Sequence, residues 1–257
     1  MEQKVTYEIT EGIARITLNR PEKRNALNRE LIAQLKQVIS ATVSDAACRV
    51  VLLAGTGTDF CSGADLAALE KTAHADVLDN MNDARQMAEL FLTMRNHPRP
   101  VIAAVHGRAL AGGCGLATAC DVILAAESAQ FGYPEVNIGF VAGMVMAILR
   151  RSISEKAAFE LVAGGEIISA ARAHDLGLVH RVYADDQFAT QVNAYAAKLA
   201  AKSASALMLT KKLLYHIDSM SFAAALESGV EINAIARMTE DCRSGVEKFL
   251  KKVPKSP

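Results

Sequence analysis

The sequence predicts an α/β fold that passes into an all-helical C-terminal region. Three observations carry that expectation. Apolar strand-like segments alternate with amphipathic helical ones over residues 1–184, the pattern of a layered α/β core. From Asp185 to Lys252 one helical pattern follows another, rich in Ala, Leu and Lys, so residues 185–257 form an all-α region. Two strands of buried type each run directly into a glycine-containing loop and a helix start, and ligands gather at such strand ends in open α/β sheets.

Val5 to Leu18 reads as a hairpin: Val5, Tyr7 and Ile9 alternate with polar residues, Glu11-Gly12 turns, and Ile13 to Leu18 resumes. Asn19 to Asn25 is a polar loop, and Asn28 is placed to cap a helix with Leu31, Ile32, Leu35, Val38 and Ile39 on one face. Arg49 to Ala54 is continuous in Val and Leu, as a fully buried strand requires. Leu66 to about His97 reads as a broken helix with a polar, mobile middle over Lys71 to Asp79, ended by Pro98 and Pro100. Val101 to Val105 is a second buried strand, Gly113 to Ala119 a short helix, Val122 to Leu124 a strand and Ala129 to Gly132 a shorter one. Ser152 with Glu155 fits a capping box opening a helix to Val162, and Val179 to Tyr183 reads as one more strand.

Composition narrows the function classes. Of 257 residues 51% are hydrophobic, enough for a full core, and 28 Lys+Arg against 28 Asp+Glu leave no net charge to attract nucleic acid or an anionic membrane. The longest apolar run, Phe140 to Leu149, is too short to cross a bilayer. Cys48, Cys61, Cys114, Cys120 and Cys242 show no C-x-x-C spacing, which reads as reduced thiols without a metal site. The N-terminus leads straight into a strand pattern without a signal segment, so a cytoplasmic location is expected.

The chemistry lies in the two glycine loops, Phe60-Cys61-Ser62-Gly63-Ala64-Asp65-Leu66 and Leu110-Ala111-Gly112-Gly113-Cys114-Gly115. Helix starts and tight glycine turns leave backbone N–H groups without internal partners. Two of them aimed at one point hold a carbonyl oxygen as negative charge builds on it, which suits a thioester or similar acyl group. Glycines of this kind also serve simply for tight turns and close packing. Dinucleotide-fingerprint, phosphate-loop and nucleophile-elbow spacings are all missing. Glu135 follows Pro134 inside an apolar stretch, where desolvation would raise its pKa toward the working range of a proton shuttle; an exposed loop carboxylate is the plainer alternative. His106, at a strand end, reads as a packed, hydrogen-bonded residue, and Asp121 as a cap of local backbone.

The segments Arg20 to Leu27, Phe60 to Leu66, Ala104 to Asp121 and Phe131 to Gly139, with Thr239-Glu240-Asp241, Gly245, Phe249 and Lys252 in the tail, together resemble the enoyl-CoA hydratase/isomerase (crotonase) family. The resemblance implies a crotonase-like ββα spiral: an acyl-CoA-binding, catalytic core over residues 1–184 and an oligomerisation region over 185–257 that builds homotrimers, often paired into hexamers. It implies an acyl-CoA thioester as substrate and partner, with no separate cofactor, since CoA is part of the substrate. Ala64 and Gly112 match the oxyanion-hole donors, and Glu135, beside Pro134, the acid/base. Lys23, Arg24 and Ala26 match the loop that meets the CoA phosphates and pantetheine. Ser62, Ala64, Asp65 and Leu66 match the segment at the adenine end. Phe249 and Lys252 match positions that approach CoA from a neighbouring subunit, with core packing as the other reading of Phe249.

One departure matters. Hydratases of the family usually carry two glutamates around the substrate double bond, and Gly115 stands where the first would be; the single Glu135 resembles the monofunctional enoyl-CoA isomerases and also some bacterial hydratases of branched or carboxylated enoyl-CoAs. A single carboxylate suffices for isomerisation, taking a proton from C2 and returning it to C4. An aspartate eight positions past Glu135, as in dienoyl-CoA isomerases, is replaced by Gly143. Gly115 also removes volume from the pocket wall, making room for a bulkier acyl group or a water. The expected activity is hydration of a 2-enoyl-CoA in fatty-acid or branched acyl-CoA metabolism, ahead of Δ3-Δ2 isomerisation by Glu135 alone and of a CoA-thioester binder with little catalysis.

Overall fold

Strands of continuous apolar residues must be covered on both faces, and that requirement organises this chain. The structure, a computed structural model, describes residues 3–252, apart from the side chains of Ala73 and Lys252. β1 (Val5–Thr10) and β2 (Ile13–Leu18) form an antiparallel hairpin turning through Glu11 and Gly12, both at positive φ. α1 (Arg29–Ser44) leads to β3 (Val50–Gly55), which lies parallel to β2. Asn28 caps α1, accepting a hydrogen bond from Leu31 N, and the helix buries Leu31, Leu35 and Ile39. The broken helix resolves into α2 (Leu66–His74) and α3 (Val77–Arg95), with Asp76 capping the second through Asp79 N. β4 (Val101–Val105), β5 (Arg108–Leu110), α4 (Gly112–Thr118), β6 (Val122–Ala126) and β7 (Gln130–Gly132) follow. Then come α5 (Gly143–Ser152), α6 (Glu155–Gly164), β8 (Ile167–Ser169), α7 (Ala170–Asp175) and β9 (Arg181–Tyr183). Beyond β9 the described chain is helical: α8 (Phe188–Ala200), α9 (Ala204–His216), α10 (Phe222–Met238) and α11 (Glu240–Lys252).

Six strands make the main sheet in the order β1-β2-β3-β4-β6-β9, parallel except for the opening hairpin. β5, β7 and β8 make a second, smaller sheet. Period-two alternation splits each inner strand between two cores. Val51, Leu53, Val101, Ala103 and Val105 join the large core that also holds residues of α1, α3 and α4. Val50, Leu52, Ile102, Ala104 and Leu124 face Val192 and Ala196 of α8. The first helix after residue 184 thus covers one face of the sheet.

α9 is fastened to the same body by a buried charge. Lys211 Nζ donates to Asp121 Oδ2 at 2.7 Å, Met94 O at 3.0 Å and Arg99 O at 3.2 Å. Tyr215 donates to Asp121 Oδ1 at 2.5 Å, and Val101 N donates to Asp121 Oδ2 at 2.6 Å. Asp121 does not cap local backbone as expected; its side chain's one backbone partner among the described residues is Val101 N, twenty residues away on the neighbouring strand, and it also receives two side chains from a helix ninety or more residues away. Among the described side chains α10 and α11 bury none within this chain, and Phe222, Leu226, Val230, Met238, Val246 and Leu250 are exposed on them.

One further local expectation is corrected. Ser154, not Ser152, caps α6, accepting from Ala157 N, while Ser152 ends α5 and turns its hydroxyl back to Ile148 O. Most of the apolar run Phe140 to Leu149 is helix: α5, beginning at Gly143, buries Val145, Ile148 and Leu149.

The Lys211–Asp121 pair is almost wholly buried, so Asp121→Ala strands an ammonium in the core. Chemical denaturation is expected to show a loss of about 3–5 kcal/mol. Asp83→Ala, which removes the partner of Arg29 in an exposed pair, is expected to leave the midpoint unchanged.

Candidate active site

The first glycine loop is an extended strip clamped from both sides. On one side Cys61 N donates to Arg108 O at 3.0 Å, and Leu110 N to Cys61 O at 3.0 Å. On the other, Leu27 N donates to Gly63 O at 2.7 Å, and Asp65 N to Leu27 O at 2.9 Å. Backbone groups alternate in direction along an extended chain. Because Gly63 O and Asp65 N both face Leu27, the N–H of Ala64 faces away from it. Among the described residues that N–H meets no acceptor.

The second loop presses against the first. Ala111, at φ 49°, turns the chain, and Gly112 opens α4 with an N–H that also meets no acceptor among the described residues. A Cβ on Gly63 would lie 3.0 Å from Ala111 Cβ and from Leu110 O, and one on Gly113 would lie 2.3 Å from Cys61 O. Leu27, bridged to Ala64, reaches within 3.2 Å of where a Gly112 Cβ would be. The two unpaired N–H groups therefore sit on touching loops, with Leu27 against both.

The small sheet brings Glu135 to the same place. β5 and β7 run parallel with Leu110 opposite Gly132, and Ala111 N donates to Gly132 O at 2.8 Å. One strand ends into α4, and the other into a 3-10 turn over Pro134–Ile138 that contains Glu135 and is closed by Gly139 at φ 74°. Glu135 is half-buried, not an exposed loop residue. Its Oε2 is buried and has no hydrogen-bond partner among the described residues, and burial raises its pKa. The thiols of Cys61 and Cys114 lie completely buried beneath the loops, and burial pushes them up to about 12 and about 11.

Gly115 is buried on α4, and the room expected there is taken. A Cβ at Gly115 would lie 3.1 Å from Phe91 Cζ and 3.4 Å from Val145 Cγ2. These two apolar side chains from α3 and α5 fill the wall, so neither a bulkier acyl group nor a water gains the volume.

The basic loop is built on an arginine and an asparagine. Arg24 and Asn25 both adopt positive φ, at 51° and 54°. Asn25 is fully buried, donates to Thr56 O and Asp59 O at 2.8 Å each, and accepts from Arg20 N at 2.8 Å. Arg20 bonds Ala26 O at 2.6 Å and Asp65 Oδ2 at 2.9 Å. Ala26 is thereby buried, while Lys23 and Arg24 are exposed at the rim. Burial would raise the Asp65 carboxyl, but hydrogen bonds from Arg20 and Ala67 N outweigh it and lower its pKa. Asp65 is thus engaged in holding the two loops together and capping α2. Ser62 is half-buried, its N–H on Arg24 O, and Leu66 is exposed. Phe249, on α11, is 67% exposed, so core packing within this chain is not its role. Lys252 closes α11, and its side chain lies outside the described residues.

A family model described as enoyl-CoA hydratase/isomerase matches residues 8–256. The chain belongs to the enoyl-CoA hydratase/isomerase family. A 2,3-dehydroadipyl-CoA hydratase of Escherichia coli K12 is 35% identical over 239 residues, spanning 92% of this chain and 91% of its own. The crystal structure of an enoyl-CoA hydratase from Mycobacterium smegmatis superposes with a TM-score of 0.93 at 31% identity over 99% of both chains. One from Bacillus anthracis gives 0.91 at 29% identity over 99% of this chain and 98% of its own. The two-sheet architecture and its helical tail are accordingly the crotonase fold.

Within this family member, the sequence reading missed Asn25, Phe91 and Val145. Asn25 had a usable signal, since asparagine is the side chain most at ease with positive φ in a turn. Phe91 and Val145 look like any core residue. No helix among the described residues is long and apolar enough to cross a membrane. The two loops touch backbone to backbone, so Gly113→Ala is expected to destabilise the fold by about 1–3 kcal/mol or more. Gly112→Ala, which meets only the flexible ends of Leu27 and Met87, should melt close to the parent in calorimetry.

Proposed function

We propose that this family member hydrates a 2-enoyl-CoA thioester, with Glu135 as its one acid/base and the N–H groups of Ala64 and Gly112 as an oxyanion hole. The observation that carries the reading is the buried, unpartnered Oε2 of Glu135 on a strand end adjoining the loop of unpaired N–H groups. Such an oxygen is costly unless a ligand engages it. In the forward reaction the ionised carboxylate takes a proton from water, and the hydroxide oxygen bonds to C3 as the C2–C3 π pair moves toward the thioester. The two N–H groups stabilise the resulting enolate oxygen. Glu135 then passes its proton to C2, and the net change is addition of one water. The hydratase names of the similar proteins support this direction.

The rest of the assignment follows. Lys23 and Arg24 offer charged donors to the CoA phosphates at an exposed rim. The bare apolar faces of α10 and α11 are read as the contact between copies, in a homotrimer or hexamer, which would bring Phe249 and Lys252 to a neighbouring CoA. The assembly works in the cytoplasm and needs no metal or further cofactor.

Isomerisation of a 3-enoyl-CoA to the 2-enoyl isomer is favoured by one observation: Gly115, Phe91 and Val145 give the wall an apolar surface where a second carboxylate would stand. Absorbance separates the readings. Loss of the conjugated band from crotonyl-CoA is hydration; its gain from 3-hexenoyl-CoA is isomerisation; binding without either change leaves a CoA-thioester binder and sinks the enzyme.

Two outcomes are expected for Glu135. Glu135→Gln should lower turnover about 10²–10⁴-fold while melting at or above the parent temperature, because it replaces a buried carboxyl that burial disfavours. The working form is the ionised one, and its pKa is raised, so kcat/KM should fall as pH falls, along a limb displaced upward from the ordinary glutamate range.

A further inference from the structure

Among the described residues the buried Oε2 of Glu135 has no hydrogen-bond partner, and its carboxyl is held only by its own backbone N–H, so the backbone must aim it. Downstream, the turn is closed by Gly139 N on Val136 O, Phe140 N on Glu135 O, and Asn137 Nδ2 on Gly165 O. None of these reaches α4, the helix that begins with Gly112. Upstream, one side chain does. Tyr133 is 1% exposed, and its hydroxyl lies 2.6 Å from Thr118 Oγ1 at the last residue of α4. Thr118 Oγ1 lies 2.8 Å from Cys114 O, one turn back in its own helix. A threonine hydroxyl has one proton, and the helix carbonyl takes it. The Tyr133 O–H is therefore the donor, into a lone pair of Thr118.

We propose that Tyr133 is a positioning residue that pins the turn carrying Glu135 to α4, and so fixes the carboxyl relative to the Gly112 N–H. The bond ties the residue two before Glu135 to a short, buried helix whose other end supplies the oxyanion donor. Pro134 sits between them with its φ locked by the ring, so the phenol's anchorage passes to Glu135 with little slack. Burial pushes the Tyr133 phenol well above its ordinary range, keeping it a donor wherever the protein is folded. The Cys114 thiol, which also faces the phenol, stays protonated for the same reason.

The inference rests on Glu135 being the acid/base, and the test separates the two. Tyr133→Phe, Thr118→Val, Thr118→Ser, the double variant Tyr133→Phe/Thr118→Val and Glu135→Gln are compared by kcat, KM and melting temperature. The substrate is whichever of crotonyl-CoA and 3-hexenoyl-CoA the parent turns over. Tyr133→Phe and Thr118→Val should each lower kcat about 10-fold or more with KM within about twofold, since CoA contacts are untouched. Thr118→Ser, which keeps the hydroxyl, should restore kcat, and the double variant should be no slower than either single one, because both remove the same bond. A purely structural bond would lower melting temperature without splitting kcat from KM. Parental kcat in Tyr133→Phe, equal loss in Thr118→Ser and Thr118→Val, or multiplying defects in the double variant would overturn the pin. Should Tyr133→Phe fail to fold, the Thr118→Ser and Thr118→Val pair decides alone. Glu135→Gln with parental turnover, or a parent inactive on both substrates, overturns the reading of the site itself. An inactive Glu135→Gln beside a fully active Tyr133→Phe overturns only the positioning.

Discussion

The contact on which the site depends is between main chains. Gly113 lets Cys61 O approach to a distance no side chain would permit, and Gly63 lets the first loop rest on Leu110 and Ala111. With those two positions bare, the strip from Cys61 to Asp65 bonds β5 on one side and Leu27 on the other, and Ala64 is left as the residue whose N–H has nowhere to go within the protein. The orphan donors arise from this packing. A Cβ at either position would press on the facing loop and force it to shift.

Around that contact the charges are spent on holding loops rather than on display. Asp59 takes Arg108 through both oxygens, at 2.8 and 3.1 Å, and its own backbone carbonyl takes Asn25. Arg20 joins Asp65 to the turn before α1. Lys211 and Asp121 hold α9 against the ends of α3 and β4. Each pair links segments far apart in sequence, so the zero net charge of the chain conceals a set of internal ties. In low dielectric such ties owe their value to satisfied hydrogen bonds as much as to Coulomb attraction.

What the sequence made legible follows from this division. Glycine loops, long buried strands and capped helices obey local rules, so α1, β3, β4 and both loops stand out before any coordinates. Glu135 was legible as a carboxylate out of place in an apolar stretch. β5 and β8 were not, because each holds three residues and leads almost directly into a helix, α4 or α7, and yet β5 is what sets Glu135 beside α4. The consequence of Gly115 was misread for a related reason. A missing side chain shows in the sequence, but the neighbours that fill its place, Phe91 and Val145, come from two other helices. Ser152 and Ser154 differ as caps only by which one ends the preceding helix, a boundary that pattern alone places loosely.

The thiols under the loops have a further consequence. A conjugated enoyl thioester is a soft electrophile, and a sulfur anion adds to its β-carbon without help from any enzyme. Cys61 and Cys114, the sulfurs nearest the loops, are sealed from solvent and hold their protons to about 12 and about 11. At neutral pH almost none of either is in the nucleophilic form. The same tight burial that lets backbone meet backbone would also spare a protein handling Michael acceptors from alkylating itself.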